Sequence, residues 1–88
     1  AAFHWNDVGS WSSVYDMGAK DAAGNVARGD TVLIDVHDSL VMGQGNVPVA
    51  VVGLENVAVI HTPHGVLVAP RDRLQQVKDV IAELRRRG

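Results

Sequence analysis

Short runs rich in valine recur through the middle of this 88-residue chain, and their spacing constrains the fold more than any other feature. From Leu40 the runs step by 9, 8 and 9 residues through Val49, Val57 and Val66, and turn-forming residues separate them. Even spacing of β-branched runs between turn signals predicts an all-β unit. The runs are Thr31–Val36, Ser39–Met42, Val47–Val52, Val57–Ile60 and Gly65–Ala69.

Two β architectures fit this pattern, and the residues by themselves leave the choice open. A coiled β-solenoid stacks each short strand over an equivalent one, whereas a small antiparallel meander pairs neighbouring strands through hairpins. The segment Val49–Val52 is apolar at consecutive positions. Burial of one face only is therefore not the rule in these strands.

A short helix is predicted before the β unit and a longer one after it. Ser10 can cap a helix that begins near Trp11, and Trp11, Val14 and Tyr15 share one face of it. The longer helix is predicted from about Arg71 to Arg87. Its buried stripe is expected at Leu74, Val77, Ile81 and Leu84, with Val80 beside them.

The start of the longer helix carries its own signals. Pro70 suits the first turn or the position before it, and Asp72 with Gln75 has the spacing of a capping box. Because the stripe is long for so small a chain, we expect another surface to cover it.

These elements divide the chain into three parts. Residues 1–19 contain the aromatic-rich start and the short helix, residues 20–30 read as a connector, and residues 31–88 form the β unit with its helix. The pairs Gly24-Asn25 and Gly29-Asp30 in the connector are turn chemistry that tolerates positive φ.

Charge and composition narrow the possible functions. Residues 1–70 hold 2 basic and 7 acidic side chains, so nucleic-acid binding is not expected. The basic residues that follow suit the carboxyl end of a helix, where they complement its dipole. No segment has the unbroken apolar length of a membrane helix. The absence of cysteine fits a cytoplasmic protein.

Asp7 is the first candidate site residue. It lies at the predicted end of a strand, before the Gly9 turn, where a carboxylate can hold a divalent cation or can cap the turn through backbone N–H groups. A second hypothesis is a metal site at His61 and His64, although Pro63 between them prevents a regular helical pair and no acidic partner has a recognisable spacing.

The run WNDVGSW, followed by Gly24-Asn25, Gly29-Asp30 and the tail VLVAPRDRLQQVKDVI, resembles bacterial mannose-1-phosphate guanylyltransferases. The resemblance extends from Trp5 to about Leu84. It implies the carboxy-terminal part of an enzyme in which a left-handed β-helix follows a nucleotidyltransferase domain, with residues 1–19 as the end of that domain. The implied reaction joins GTP to mannose 1-phosphate, with Mg²⁺ as cofactor, and releases pyrophosphate.

The resemblance also implies roles for single residues. Asp7 matches a metal-holding aspartate, and Trp5, Val8, Gly9 and Trp11 match the wall of the sugar-binding cleft, although core packing around a turn explains these four equally well. No residue of this chain is assigned a catalytic role, because the phosphate-binding loop belongs upstream. One carboxylate without that loop does not position GTP, so we expect the chain by itself to be inactive.

Two other functions remain open at this stage. The chain is expected to work with an upstream nucleotidyltransferase domain and to form homo-oligomers, but it could instead be a free-standing interaction module. The parent enzyme could also use a related sugar 1-phosphate, because the upstream domain makes most contacts that select the sugar.

Overall fold

The computed structural model describes residues 11–63 and 65–87, and it contains two helices, a 3₁₀ helix and six strands in that part of the chain. In chain order the elements are α1 (Trp11–Met17), β1 (Val26–Arg28), β2 (Thr31–Ile34), β3 (Leu40–Gly43), β4 (Val49–Val52), β5 (Val57–Thr62), β6 (Gly65–Pro70), the 3₁₀ helix (Arg71–Gln76) and α2 (Val77–Arg87).

The strand pairing identifies a β-helix. Strands β1, β3 and β5 pair in parallel, and β6 adds to β5 in the antiparallel sense, while β2 and β4 form a second parallel sheet. Thr31 pairs with Val49 and Leu40 pairs with Ala58, so the chain returns to the same side after 18 residues in these two turns, whereas the turn from Val26 to Leu40 takes 14. A meander would pair neighbouring strands antiparallel, and the solenoid alternative is therefore the correct one.

The corners of the coil repeat with the same period. Asp35 and Gly53 have φ of 55° and 71°, and Asp38 and Asn56 have φ of 53° and 59°. Each pair is 18 residues apart, so left-handed backbone conformations stack at two corners. Aspartate, asparagine and glycine tolerate this conformation better than other residues, which explains why these residues separate the valine runs.

Two apolar clusters lie on opposite faces of the four-stranded sheet. Because side chains alternate along a strand, Leu40 and Met42 of β3 point to one cluster while Val41 points to the other. The inner cluster fills the coil between the sheets and contains Val36, Val41, Val51 and Val59. The helix-side cluster contains Trp11, Tyr15, Val26, Leu40, Met42, Ala58, Ile60, Leu67, Leu74 and Val77.

Strand β1 lies inside residues 20–30, the stretch interpreted from sequence as a connector. Its three residues pair with β3, from Val26 opposite Leu40 to Arg28 opposite Met42. Val26 is also buried in the helix-side cluster. This stretch therefore supplies the first strand of the coil as well as two turns.

The carboxy-terminal helix differs from its prediction. Residues Arg71–Gln76 form a 3₁₀ helix with a kink at Arg73, and the α-helix begins only at Val77. The predicted capping box of Asp72 and Gln75 is wrong, because Pro70 occupies the cap position and no side chain makes a capping hydrogen bond. Leu74 and Val77 are buried as expected, whereas Val80 and Leu84 are exposed.

Candidate functional site

The three coils of the β-helix begin with β1, β3 and β5. Tyr15 connects α1 to the first coil and follows, in the sequence, the segment that carries the predicted site. Its side chain is buried, and its hydroxyl donates a hydrogen bond to the Gly24 carbonyl at 2.8 Å. The Arg71 guanidinium carbon lies 3.8 Å from the centre of the ring, and Lys20 Nζ lies 4.6 Å from it. Both distances are within the range of cation–π attraction, so two cations contact one buried ring.

The two cations are held by backbone carbonyl groups. Lys20 Nζ donates to the carbonyl oxygen atoms of Tyr15 at 2.8 Å and Asp16 at 3.2 Å, near the carboxyl end of α1. A cation at this end also complements the helix dipole. Arg71 Nε donates to the Asp38 carbonyl at 2.7 Å. This junction thus connects α1, two turns of the coil and the 3₁₀ helix.

Asn25 is the centre of a network of buried hydrogen bonds next to the same junction. Its side chain is buried, and Nδ2 donates to the Val36 carbonyl at 2.7 Å, while Oδ1 accepts from the Ser39 backbone N–H at 2.9 Å. The Ser39 hydroxyl accepts in turn from the Val57 backbone N–H at 3.2 Å. These bonds tie the three coils together where polar groups are shielded from water.

Asp21 organises the turn that leads to Asn25. Its Oδ1 accepts hydrogen bonds from the backbone N–H groups of Asn25 and Ala23, each at 2.9 Å. The bond from the Asn25 backbone is the largest cause that lowers the pKa of this carboxyl below its ordinary value of 3.8. Hydrogen bonds to the charged form favour that form.

We expect the stabilisation by Asp21 to depend on pH. Because its pKa is lower in the folded state, its contribution is present above pH 3.8 and is lost as the pH falls through the lowered folded value. Urea unfolding of the wild type and of Asp21→Asn between pH 7 and pH 3 measures the difference. The wild type is expected to be the more stable at neutral pH, with a gap that narrows toward pH 3. A gap of constant size would contradict this assignment.

A cavity of about 490 Å³ lies at the carboxyl ends of β3 and β5. Its lining includes Gln44, Asn46 and His61. The His61 Nδ1 atom is buried without a hydrogen-bond partner among the described residues, and a Cβ atom added to Gly45 would lie 3.3 Å from it. Glycine at position 45 therefore allows the imidazole to pack closely against the turn.

Within residues 11–63 and 65–87, no group of three or more histidine, aspartate or glutamate side chains is placed to hold a metal ion. His64, one of the two residues in the histidine hypothesis, lies outside the described residues. His37 forms an isolated parallel bridge with Glu55 through the backbone. The described side chains therefore do not form a Mg²⁺ site by themselves.

The predicted site residues fall into two groups. Trp5, Asp7, Val8 and Gly9 lie outside the described residues. The Trp11 side chain is 1% exposed and packs in the helix-side cluster. Its assignment to the wall of a sugar cleft stays a prediction.

The junction around Tyr15 was not identified from the sequence. Arg71 is far from Tyr15 and Lys20 along the chain, and no local pattern indicates that the three meet. Asn25 gave a partial signal, since Gly24-Asn25 was recognised as a turn pair. The missing information was that the asparagine of this turn points into the interior.

No helix in the described part of the chain has the length and apolar character needed to cross a membrane. The model of the MannoseP isomerase/GMP-like β-helix domain matches residues 29–84. The chain is 49% identical over 84 residues to the alginate biosynthesis protein AlgA of Pseudomonas aeruginosa PAO1, which covers 96% of this chain. It is 40% identical over 80 residues to a mannose-1-phosphate guanylyltransferase of Escherichia coli, which covers 91% of it.

The chain spans 17% of the length of both relatives. The fold is also similar to the crystal structure of a mannose-1-phosphate geranyltransferase from Thermus thermophilus, with a TM-score of 0.74 and 28% sequence identity. That similarity covers 90% of this chain and 24% of the other.

Proposed function

Since the chain belongs to the family of MannoseP isomerase/GMP-like β-helix domains, we propose that it is the β-helix part of an enzyme that makes GDP-mannose from GTP and mannose 1-phosphate. The observation that carries the proposal is the 40% identity to the Escherichia coli guanylyltransferase over 91% of this chain. A match over 80 of the 88 residues must include α1, which lies outside residues 29–84 of the β-helix domain, so the similarity is not confined to a repetitive scaffold.

In the proposed reaction, a phosphate oxygen of mannose 1-phosphate attacks the α-phosphorus of GTP in line with the leaving group. The bond from that phosphorus to the bridging oxygen breaks, and pyrophosphate leaves. Such transfers depend on positioning and on neutralising the negative charge of the phosphates. Mg²⁺, when bound, supplies part of that neutralisation. We place this reaction in the cytoplasm, with which the absence of cysteine is compatible.

The described residues contribute a rigid support in this proposal. Tyr15 attaches α1 to the coil through the Gly24 carbonyl, and Arg71 packs on the Tyr15 ring from the other end of the β unit. The segment that precedes α1 contains Asp7, to which we assign metal holding within the complete enzyme. The remaining ligands and the GTP-binding groups belong to an upstream nucleotidyltransferase domain, so this chain by itself is inactive.

The test is reconstitution with the separately expressed upstream domain of the parent protein. Pyrophosphate release from GTP and mannose 1-phosphate is measured with the wild-type chain, with Asp7→Asn and with Asp16→Asn. Asp16 is an exposed aspartate on α1 and serves as the matched control. We expect the wild type and Asp16→Asn to restore activity and Asp7→Asn to reduce the rate at least 100-fold, since a lost metal ligand disturbs charge neutralisation in the transition state.

Equal activity of the three chains would indicate that Asp7 only caps the turn and that the chain acts as a scaffold for the catalytic domain. No activity from two parts that bind each other would favour the interaction-module alternative. Activity with a different sugar 1-phosphate and none with mannose 1-phosphate would retain the enzyme class and change the substrate.

A further inference from the structure

One corner of the β-helix has the same left-handed backbone conformation at three successive levels, just before β1, β3 and β5. Its residues Gly24, Asp38 and Asn56 have φ of 84°, 53° and 59°. The Asp38 N–H donates to the Ala23 carbonyl at 3.1 Å, which joins the first two levels. The Asn56 N–H donates to the His37 carbonyl at 3.0 Å, which joins the second level to the third. Together these residues form a corner column that connects the three coils through the main chain.

Arg71 extends along this corner column and ends on α1. Its backbone N–H donates to the Asn56 carbonyl at 2.9 Å, and its side-chain Nε donates to the Asp38 carbonyl at 2.7 Å. Beyond Nε, the guanidinium carbon lies 3.8 Å from the centre of the Tyr15 ring, within the range of cation–π attraction. The Tyr15 hydroxyl donates to the Gly24 carbonyl at 2.8 Å. One arginine therefore connects the third and second levels of the column to a ring that is bonded to the first.

Lys20, the other cation at the Tyr15 ring, makes local hydrogen bonds only, within the part of the chain that the structure describes. Its Nζ donates to the carbonyl groups of Tyr15, Asp16 and Gly18, which belong to α1 or directly follow it. The Tyr15 hydroxyl is a single point of attachment, about which a ring can pivot. The guanidinium of Arg71 covers a face of the ring and is itself held by the corner column. It therefore supplies the second point that fixes the orientation of α1.

We propose that Arg71 is a positioning residue for the reaction assigned to the parent enzyme, because it fixes the orientation of α1 and so limits where Asp7 lies. This inference rests on the proposed function. Asp7 is four residues before Trp11, the first residue of α1, and four residues span at most about 14 Å. The orientation of α1 thus restricts the positions that the Asp7 carboxylate can occupy. Misplacement of a group by about 1 Å can lower a rate about 100-fold, so a side chain that acts through Tyr15 can set the rate.

A distance measurement on the 88-residue chain tests the orientation of α1 without an enzyme assay. The chain has no cysteine, so spin labels are attached at Asp16→Cys on α1 and Val52→Cys on β4, two exposed positions. We expect Arg71→Met to broaden the distribution of distances between the labels about twofold, because the Tyr15 ring loses its second point of attachment. Arg73→Met is the matched control, since Arg73 is an exposed arginine of the same 3₁₀ helix. Its distribution is expected to match that of the wild type.

Kinetics of the chain reconstituted with the upstream domain measure the effect on the reaction. We expect Arg71→Met to lower kcat about tenfold and to leave the KM of GTP and of mannose 1-phosphate within about twofold, since it disturbs the transition state and not substrate binding. Arg73→Met is expected to keep the wild-type constants. In a Tyr15→Leu background, Arg71→Met is expected to lower kcat by less than about twofold, because residues that act through one contact are not additive. Rates are normalised to the folded fraction measured by circular dichroism, so that a loss of stability is not counted as a loss of kcat.

Failure of the proposed function and failure of this inference give different results. A wild-type chain that binds the upstream domain without any release of pyrophosphate contradicts the proposed function, and the role of Arg71 in the reaction falls with it. With an active wild type, two results overturn the inference about Arg71 alone. One is an Arg71→Met variant that matches Arg73→Met in the width of the distance distribution or in kcat. The other is a loss of kcat that is undiminished in the Tyr15→Leu background.

Discussion

Replacing Gly29 by alanine is expected to lower the free energy of unfolding by about 3 kcal/mol, because two costs combine there. Gly29 has a φ of 86°, in the left-handed region that alanine adopts only with strain. A Cβ atom at this position would also lie 2.2 Å from the Gly43 carbonyl oxygen. Neither backbone can move without disturbing the pairing of β1 with β3, which Arg28 and Met42 close at this end.

Gly53→Ala separates the two costs. Gly53 has a φ of 71°, but no atom outside this residue and its two chain neighbours lies within 4 Å of a Cβ atom added to it. Only the backbone strain remains, and we expect Gly53→Ala to lower the free energy of unfolding by about 1 kcal/mol. Urea unfolding of the wild type and of both variants measures the difference between them. Equal losses for the two variants would mean that the Gly43 carbonyl relaxes and that the close approach has little cost.

The turns were the most predictable part of the fold. The sequence placed positive φ at the Gly24-Asn25 and Gly29-Asp30 pairs, and both glycines have it. It did not indicate strand β1 between the two pairs, because a strand of three residues has little local signal. Val26–Arg28 is extended because β3 lies beside it, and that contact is fixed only when the coil has closed.

The spacing between runs along the chain contains the information that distinguishes a β-helix from a meander. From Leu40 the runs step by 8 or 9 residues, whereas β2 stacks on β4 and β3 stacks on β5 at a distance of 18 residues along the chain. Alternate runs therefore stack as far as β5, whereas β6 departs from this rule and pairs antiparallel with the adjacent β5 in the same sheet. Apolar residues at consecutive positions were a mixed signal. Strand β3 is buried against both clusters, but Val49–Val52, from which burial of both faces was predicted, buries one face only, so the prediction was wrong for β4. The left-handed sense of the coil stays a prediction from the resemblance.

At the start of the carboxy-terminal helix, Leu74 and Val77 are buried as predicted, although the backbone of Arg71–Gln76 is a 3₁₀ helix and not the predicted α-helix. Leu74 and Val77 are three residues apart, and this spacing aligns side chains in a 3₁₀ helix as well as in an α-helix. Contacts distant in sequence decide between them. The Arg71 backbone N–H donates to the Asn56 carbonyl at 2.9 Å, and its side chain reaches Asp38. No local propensity encodes those partners.

The candidate site was predictable only to the extent that its residues are adjacent in the chain. The interpretation of WNDVGSW rested on contiguous residues and on a resemblance, and it remains to be tested. The contacts of Tyr15 with Lys20 and Arg71 require residues up to 56 positions apart, so they emerge only from the folded coil.

The second large effect is expected at Asn25, where alanine should lower the free energy of unfolding by about 3 kcal/mol. The substitution leaves the Val36 carbonyl without its donor and the Ser39 N–H without its acceptor. Both partners are shielded from water, since Val36 and Ser39 are themselves buried. An unpaired buried polar group costs about 1–3 kcal/mol, and two are created here.

Two further variants test this explanation by urea unfolding. Asn46→Ala changes an exposed asparagine of another turn and is expected to alter stability by less than about 0.5 kcal/mol. Asn25→Asp keeps the shape of the side chain and the oxygen that accepts from Ser39, but an oxygen replaces the NH₂ group that donates to the Val36 carbonyl. The new oxygen also lies close to the Asp21 carboxylate, because Asp21 Oδ2 is 3.3 Å from Asn25 Nδ2 in the wild type. We expect it to be at least as damaging as Asn25→Ala at neutral pH, because a buried oxygen then faces a carbonyl and a like charge. If Asn25→Asp retained wild-type stability, the hydrogen bond to Val36 would not be what holds the first coil to the second.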